Sequence, residues 1–160
     1  MDEININHND IFVILDDDQL IHDAWDLRLN PLAKLNSKLI VRHEKQGQAV
    51  LDYVNSLGPQ DKKRLYFLCD FELIGQSMNG LQVIEASEIE RAVLVTNYHL
   101  QPAIQESALK LGIKILPKQM TSVAPFYCTQ KHCFLKLNVD QIRCGRDLFN
   151  VEQLQEEYCV

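Results

Sequence analysis

Short apolar runs that stop at polar residues constrain the fold of this chain most. A run without polar interruptions is typical of a strand buried on both faces, as in a parallel sheet, because a strand with one wet face alternates polar and apolar residues. Three such runs are Ile11–Leu15, Leu65–Cys69 and Ala92–Val95. The shorter segments Leu39–Val41 and Ile113–Leu116 add two strands, so we predict five.

Amphipathic segments separate these strands. Apolar residues recur at three- and four-residue steps from Gln19 to about Lys34, despite Pro31, and this spacing predicts helices. Three further segments have it: 49–57, 81–89 and 103–111, the last closed by Gly112 at its C′ position. The stretch 60–63 is expected to be a solvated loop. Strand–helix alternation with right-handed crossovers predicts a flavodoxin-like α/β fold, a doubly wound five-stranded parallel sheet.

Length and charge narrow the function. The chain has 160 residues, which suits one domain, and we place that domain at residues 1–120. Residues 121–160 are expected to be an extension, packed on the domain or on a partner. The net charge of -6 and the lack of a basic run disfavour direct nucleic-acid binding. Residues 1–10 are acidic and polar, and no apolar run approaches ~18 residues, so we expect a cytoplasmic protein without a membrane segment.

The five cysteines are an odd set, and in a reducing compartment disulfides are not expected. Cys128, His132 and Cys133 lie close in sequence, but no second Cys or His pair completes a tetrahedral zinc site. Ordinary thiols are the favoured interpretation of these residues.

Polar side chains stand where the predicted strands end. In a doubly wound sheet the binding crevice lies outside the carboxyl ends of the strands. The residues at those ends are Asp16, Asp17, Asp70, Thr96 and Lys118. Phosphoryl transfer to a carboxylate needs a nucleophile, a divalent cation and donors for the phosphoryl oxygens, and these side chains supply each of them. Asp70 is the candidate nucleophile, and the acidic residues after the first strand are candidate Mg²⁺ ligands.

Over about residues 10–120 these motifs resemble the response-regulator receiver domains (CheY-like) of two-component signalling. Asp16 and Asp17 are similar to the metal-binding acidic pair of that family, and Asp70 is similar to its phosphoacceptor. Glu72 stands at the position whose backbone carbonyl completes the metal shell. The resemblance therefore implies Mg²⁺ as the cofactor, held by Asp16, Asp17, Asp70 and the carbonyl of Glu72.

Thr96 and Lys118 match the hydroxyl and lysine of the family, at a separation similar to that of chemotaxis-type receivers. The resemblance implies a bacterial phosphorelay module, with a histidine kinase or phosphotransfer protein as phosphodonor and a downstream protein partner. Pairing of two copies is left open. The resemblance implies a signalling domain without enzymatic activity other than slow removal of its own phosphoryl group. The stretch 16–25 also resembles receiver-like domains at the ends of some bacterial hybrid histidine kinases.

The chain departs from the family at four places. The loop after Asp70 reaches Gly80 without the usual proline, and Ile115 stands where a tyrosine or phenylalanine is usual. Pro117 precedes Lys118, whereas the family has proline after the lysine. No clear helix follows, so we expect the extension to replace or modify the last helix.

The extension has patterns of its own. Alternation over 135–139 predicts a half-buried strand. Asn150 is placed to cap a short terminal helix.

Two other functions remain open. A phosphatase of the haloacid-dehalogenase type uses an aspartyl phosphate with Mg²⁺, and its nucleophile here is Asp16; that leaves Asp70 without a role. A pseudo-receiver keeps the fold as a protein-binding module and takes no phosphate. Asp18 is a weaker ligand candidate than its neighbours, and the acidic triplet also suits a helix N-terminus. His22 and Trp25 are interpreted as a packed or capping pair.

Overall fold

The structure is a computed structural model that describes residues 4–35, 38–124 and 126–128. The strands are β1 (Ile4–Ile6), β2 (Ile11–Leu15), β3 (Ile40–Glu44), β4 (Leu65–Asp70), β5 (Ala92–Thr96), β6 (Lys114–Pro117) and β7 (Phe126–Cys128). The helices are α1 (Gln19–Leu35), α2 (Gly47–Ser56), α3 (Pro59–Lys62), α4 (Gly80–Ser87) and α5 (Pro102–Lys110). A 3-10 helix spans Lys118–Met120.

Five strands form one parallel sheet in the order β3-β2-β4-β5-β6. Each of these strands is followed by a helix or helical turn. From β2 the chain first adds β3 on one side and then β4, β5 and β6 on the other, so the sheet is doubly wound. The flavodoxin-like five-stranded parallel fold predicted from the sequence is confirmed. The crevice that such a reversal opens lies at the carboxyl ends of β2 and β4.

Alternating side chains of the strands enter two separate cores, one on each face of the sheet. Phe12 and Ile14 of β2 pack toward α1, where Trp25 is fully buried. Val13 and Leu15 point the other way, into the core formed with α2, α4 and α5. Both faces of β2 are therefore dry, which explains why its sequence is a continuous apolar run.

A second, two-stranded sheet covers part of the α1 face. In it β1 and β7 pair in parallel, with Ile4 opposite Phe126. Ile4, Ile6 and Phe126 are buried in the same core as Trp25. Arg28 of α1 lies over the Phe126 ring at 4.3 Å. We call this pair of strands the terminal ribbon. It packs beside α1 on the same face of the main sheet.

Arg28 also fastens the turn that leads into the ribbon. Its guanidinium donates to the carbonyl of Thr121 at 3.0 Å and to the carbonyl of Ala124. Thr121 in turn donates from its hydroxyl to the carbonyl of Lys118 at 2.7 Å. The segment after β6 is thereby tied to α1.

Some local expectations differ from the structure. The stretch 60–63, expected to be a loop, contains most of α3, because Pro59 is suited to a first helical turn. The acidic and polar start of the chain contains β1, which the pattern did not predict. Between Lys118 and residue 128, the part of the chain that the structure describes has a 3-10 helix and β7 and no α-helix.

Several expectations fall outside the described residues. They concern His132, Cys133, the strand at 135–139 and the helix capped by Asn150. Within the described ranges, no helix is both long and apolar enough to cross a bilayer.

Candidate functional site

The strand ends of the five-stranded sheet bring four polar side chains to one edge. Asp16 follows β2, Asp70 ends β4, Thr96 ends β5 and Lys118 follows β6. The strands are in register here, with Leu15 opposite Cys69, Asp70 opposite Val95, and Thr96 opposite Pro117. Asp16, Asp70 and Thr96 are buried, at 1%, 4% and 0% exposure. Residues from four separate strands therefore share one crevice.

Lys118 is the centre of the contacts in this crevice. Its Nζ donates to Asp70 Oδ2 at 2.8 Å and to Asp16 Oδ1 at 3.2 Å, and lies 3.0 Å from Asp16 Oδ2. Only 14% of the Lys118 side chain is exposed. One ammonium thus bridges two buried carboxylates, whose combined charge exceeds its own.

The turn after β2 is shaped by Asp16 and Asp18. The backbone N–H of Asp18 donates to Asp16 Oδ1 at 2.8 Å, and the N–H of Leu20 donates to Asp18 Oδ1 at 2.9 Å. Asp18 therefore caps the start of α1, as a short acidic side chain at a helix N-terminus does. Asp17 lies between them and is more exposed than Asp16.

Three carboxylates are grouped as a metal ion requires. Oxygens of Asp16, Asp17 and Asp70 all lie within 4.8 Å of one another. Asp16 Oδ2 is buried and, among the described residues, accepts no hydrogen bond despite its closeness to Lys118 Nζ. This oxygen faces the Lys118 ammonium as an ion pair at 3.0 Å, without a hydrogen bond. This all-oxygen set fits a hard divalent cation, so the acidic cluster is positioned for a metal ion.

Burial raises the pKa of Asp70 above its usual value, and the charge of Asp16 adds to this, while Lys118 and the backbone N–H of Glu72 oppose it. Burial also raises the pKa of Asp16, against the Asp18 N–H and Lys118. For Lys118, burial acts to lower the pKa, but the two carboxylates outweigh it and the pKa is raised. The crevice is thus short of positive charge, which a divalent cation supplies.

Thr96 is linked to an aromatic residue two positions on. Its Oγ1 accepts from the backbone N–H of Tyr98 at 3.0 Å, and this leaves the hydroxyl proton able to donate to a phosphoryl oxygen. Tyr98 donates from its hydroxyl to Glu72 Oε2 at 3.0 Å, and its ring packs edge-on against Phe71 at 6.0 Å. The loops after β4 and β5 are therefore joined directly.

The longer loop after Asp70 is held at Gln76 and at its far end. The side chain of Gln76 accepts from the N–H of Gly47 at 2.7 Å and donates to the carbonyl of Lys45 at 2.9 Å. At its far end Asn79 caps α4, and a Cβ on Gly80 would lie 1.8 Å from the Asp70 carbonyl oxygen. Glycine is required there because α4 begins directly against the backbone of the candidate nucleophile.

The structure brings together Asp16, Asp17, Asp70 and Lys118, which the sequence predicted. Thr96 lies at the neighbouring strand end. The N–H of Glu72 is turned toward Asp70, and a ligand role for its carbonyl stays a prediction. Sequence reasoning missed Tyr98 as a bridge, and no spacing pattern reveals such a contact between two loops.

No protein-family model and no curated protein matches the chain, but solved structures do. The response regulator RcsB of Salmonella typhimurium aligns with a TM-score of 0.53 at 18% identity, over 72% of this chain and 55% of that chain. The Mn²⁺-bound form of response regulator Rcp1 aligns with a TM-score of 0.51 at 13% identity, over 71% and 89%. At such identities the likeness concerns the fold. The fold of the chain is that of response-regulator receiver domains.

Proposed function

We propose that this chain is a phosphoacceptor receiver domain that takes a phosphoryl group on Asp70 with the help of Mg²⁺. One observation carries the proposal: Lys118 bridges the buried carboxylates of Asp16 and Asp70 at the carboxyl edge of a doubly wound sheet. Such a cluster is expensive to bury without a task, because like charges and desolvation both act against it.

Each side chain has a chemical part in the reaction. An oxygen of Asp70 attacks phosphorus while the bond from phosphorus to the donor's leaving group breaks, and the leaving group departs with the electron pair. Lys118 then pairs with a phosphoryl oxygen instead of the free carboxylate, and Thr96 donates its hydroxyl to another. Bound Mg²⁺ supplies positive charge for the remaining oxygens, and Asp16, Asp17, Asp70 and the Glu72 carbonyl are its proposed ligands.

The proposal includes the setting of the reaction. The phosphodonor is a histidine kinase or phosphotransfer protein of a bacterial two-component system, and the readout is altered binding of a downstream protein in the cytoplasm. The domain catalyses no turnover beyond slow loss of its own phosphoryl group. Residues 1–120 form the receiver domain, and 121–160 form an extension that packs on it or on a partner. The net charge of -6 supports protein partners rather than direct nucleic-acid contact.

Intact-mass measurement after incubation with acetyl phosphate tests the proposal. We expect wild-type protein to gain the mass of one phosphoryl group with Mg²⁺ and none with a chelator. Asp70→Asn should gain nothing, and the wild-type adduct should be released by hydroxylamine, as an acyl phosphate is. Asp17→Asn should need more Mg²⁺ for the same yield.

The two alternatives give different results in the same assay. A haloacid-dehalogenase-type phosphatase attaches the group to Asp16, so Asp70→Asn keeps the adduct and Asp16→Asn loses it. A pseudo-receiver gains no mass under any condition. Either result overturns the proposed function.

A further inference from the structure

Two histidines form a chain of hydrogen bonds that ends on the metal-binding turn. Asp26 Oδ1 lies 2.7 Å from His43 Nε2, and His43 Nδ1 lies 2.7 Å from His22 Nδ1. His22 Nε2 lies 2.8 Å from the backbone carbonyl oxygen of Asp16. His22 is 2% exposed, whereas His43 and Asp26 reach the surface between α1 and β3.

The carbonyl of Asp16 fixes which nitrogen of His22 carries a proton. A carbonyl oxygen only accepts, so His22 Nε2 must carry a proton and donate it to Asp16. At the other end of the chain His43 Nε2 lies 2.7 Å from Asp26 Oδ1, and the direction of this bond and of the bond between the two Nδ1 atoms depends on the tautomers of the rings. All four nitrogens of the two imidazole rings therefore have a hydrogen-bonding partner.

The peptide groups on both sides of Asp16 are thereby held. Its N–H donates to the carbonyl of Glu44 on β3 at 3.3 Å, and its carbonyl accepts from His22. His43, which supports His22, lies next to Glu44 on the same strand. The backbone that carries the Asp16 carboxylate and leads to Asp17 is fixed to β3 directly and through two imidazoles.

We infer that His22 is a positioning residue for the metal-binding turn, oriented by His43 and Asp26, and that this chain of bonds sets the affinity of the carboxylate cluster for a divalent cation. The inference rests on the metal part of the proposed function. Hydrogen-bonded groups behind metal ligands change affinity by roughly 10–100-fold when removed, because the ligands lose their orientation.

The test is Mn²⁺ affinity of the full chain by electron paramagnetic resonance, with variants that separate donation from packing. His22→Phe fills the space without a donor, and we expect roughly tenfold weaker binding. His22→Gln restores an N–H near the Nε2 position and should recover most of the affinity. Val54→Ala, in the core on the opposite face of the sheet, is the control for lost stability and should bind Mn²⁺ as wild type does.

Asp26→Ala tests the outer end of the chain at a partly exposed site, where folding is not at risk. It should weaken binding by a smaller factor and move the ¹⁵N and ¹H signals of His22 in the metal-free protein. Unchanged affinity in His22→Phe or Asp26→Ala, or equal loss in His22→Phe and His22→Gln, overturns the inference. These outcomes are separate from the acetyl phosphate result. If wild-type protein binds Mn²⁺ but takes no phosphoryl group, the proposed function is wrong and the inference about His22 stands.

Discussion

Burial distinguishes Asp16 and Asp70 from the many surface carboxylates of this acidic chain. Both pKa values are raised above 3.8, first because of burial. The native protein therefore binds protons at these sites more tightly than the unfolded chain does. Their contribution to stability falls as pH rises through the raised values and returns as pH is lowered, which is the sign opposite to that of a salt-bridged surface aspartate.

We expect Asp70→Asn to raise the melting temperature of the metal-free protein at neutral pH. One negative charge leaves the crevice, Lys118 keeps Asp16, and the amide oxygen still accepts from Lys118. The gain should be about 4 °C, roughly 1 kcal/mol, and should shrink toward pH about 4. Calorimetry across this pH range measures it, with the exposed Asp52→Asn as control. A variant that melts below wild type at neutral pH without metal contradicts the electrostatic argument.

Gly80 permits the close approach of α4 to Asp70, so its replacement should be costly. A Cβ there would meet the Asp70 carbonyl oxygen at 1.8 Å and the Cys69 Sγ at 3.0 Å, and backbone cannot yield as a side chain can. We expect Gly80→Ala to lower the free energy of unfolding by about 3 kcal/mol or more.

Gly58→Ala is the matched control, because nothing lies within 4 Å of its Cβ position. It should cost at most about 0.5 kcal/mol, and urea titration of both variants measures the difference. Equal effects of the two alanines would show that the approach of α4 to Asp70 is not constrained.

For single residues, the sequence predicted the site residues that end apolar runs. A charged residue directly after a buried strand lies at the carboxyl edge of the sheet, where the strand ends meet. It does not predict the role of His22, which from the sequence pairs with Trp25 as a packed or capping residue. The partners of His22 are Asp16, directly after β2, and His43 on β3, and only the folded sheet brings them within hydrogen-bonding distance. Gly80 was likewise visible only as a loop residue.

The loops after β4 and β5 form the element that joins the crevice to the surface. Tyr98 connects them through its hydroxyl to Glu72 and through its ring to Phe71. Its pKa is raised because the Glu72 carboxylate accepts from the hydroxyl and repels the phenolate. Ile115 on β6 has no hydroxyl and cannot make such a contact. Among the described residues, Tyr98 is the aromatic residue that connects Thr96 with the loop after Asp70.

Tyr98→Phe should loosen the loop after Asp70 without unfolding the domain. The variant keeps the ring contact and loses the hydrogen bond to Glu72, so residues 71–79 should exchange amide hydrogens several-fold faster. Hydrogen-exchange mass spectrometry measures this. Tyr53→Phe, whose ring packs under the Arg42 guanidinium, is the control and should leave the loop unchanged. An unaltered exchange rate in Tyr98→Phe would mean that Gln76 and Asn79 alone hold the loop.

Element prediction succeeded where hydrophobic periodicity spans several turns or strand residues. The five strands of the main sheet and the helices α1, α2, α4 and α5 were located from their apolar residues, whereas α3, a single polar turn, has no such pattern. β1 and β7 were not predicted because each has only three residues and because their pairing joins segments far apart in the chain. A motif of three residues has too little periodicity to be recognised without its partner strand.

The whole molecule closes its α1 face with the terminal ribbon. Phe126 packs against Phe12 at 6.4 Å and Trp25 at 6.1 Å between ring centroids, with Arg28 above it. Ile4 and Ile6 complete the cover from β1. The described residues of the extension in β7 therefore pack on the domain together with β1.

Phe126→Ala should lower the free energy of unfolding by about 3 kcal/mol, because a buried aromatic ring is lost and a cavity remains beside Trp25. Tryptophan fluorescence should shift to longer wavelength as water reaches that ring. Val123→Ala, at a half-exposed position in the preceding turn, should change stability by about 0.5 kcal/mol or less. A Phe126→Ala protein as stable as the control would show that the ribbon only rests on the surface.

The pairing of β1 with β7 has a consequence for the order of events during synthesis. β1 leaves the ribosome before the strands of the main sheet, yet the strand it pairs with follows all of them. The sheet and both layers of helices can assemble while the apolar surface around Trp25 is still open on one side. Pairing over so long a separation in sequence is slow, because a large loop must close before any contact repays it. A nascent chain stalled before Phe126 should thus expose this surface to chaperones, and the next few residues to emerge should end that exposure.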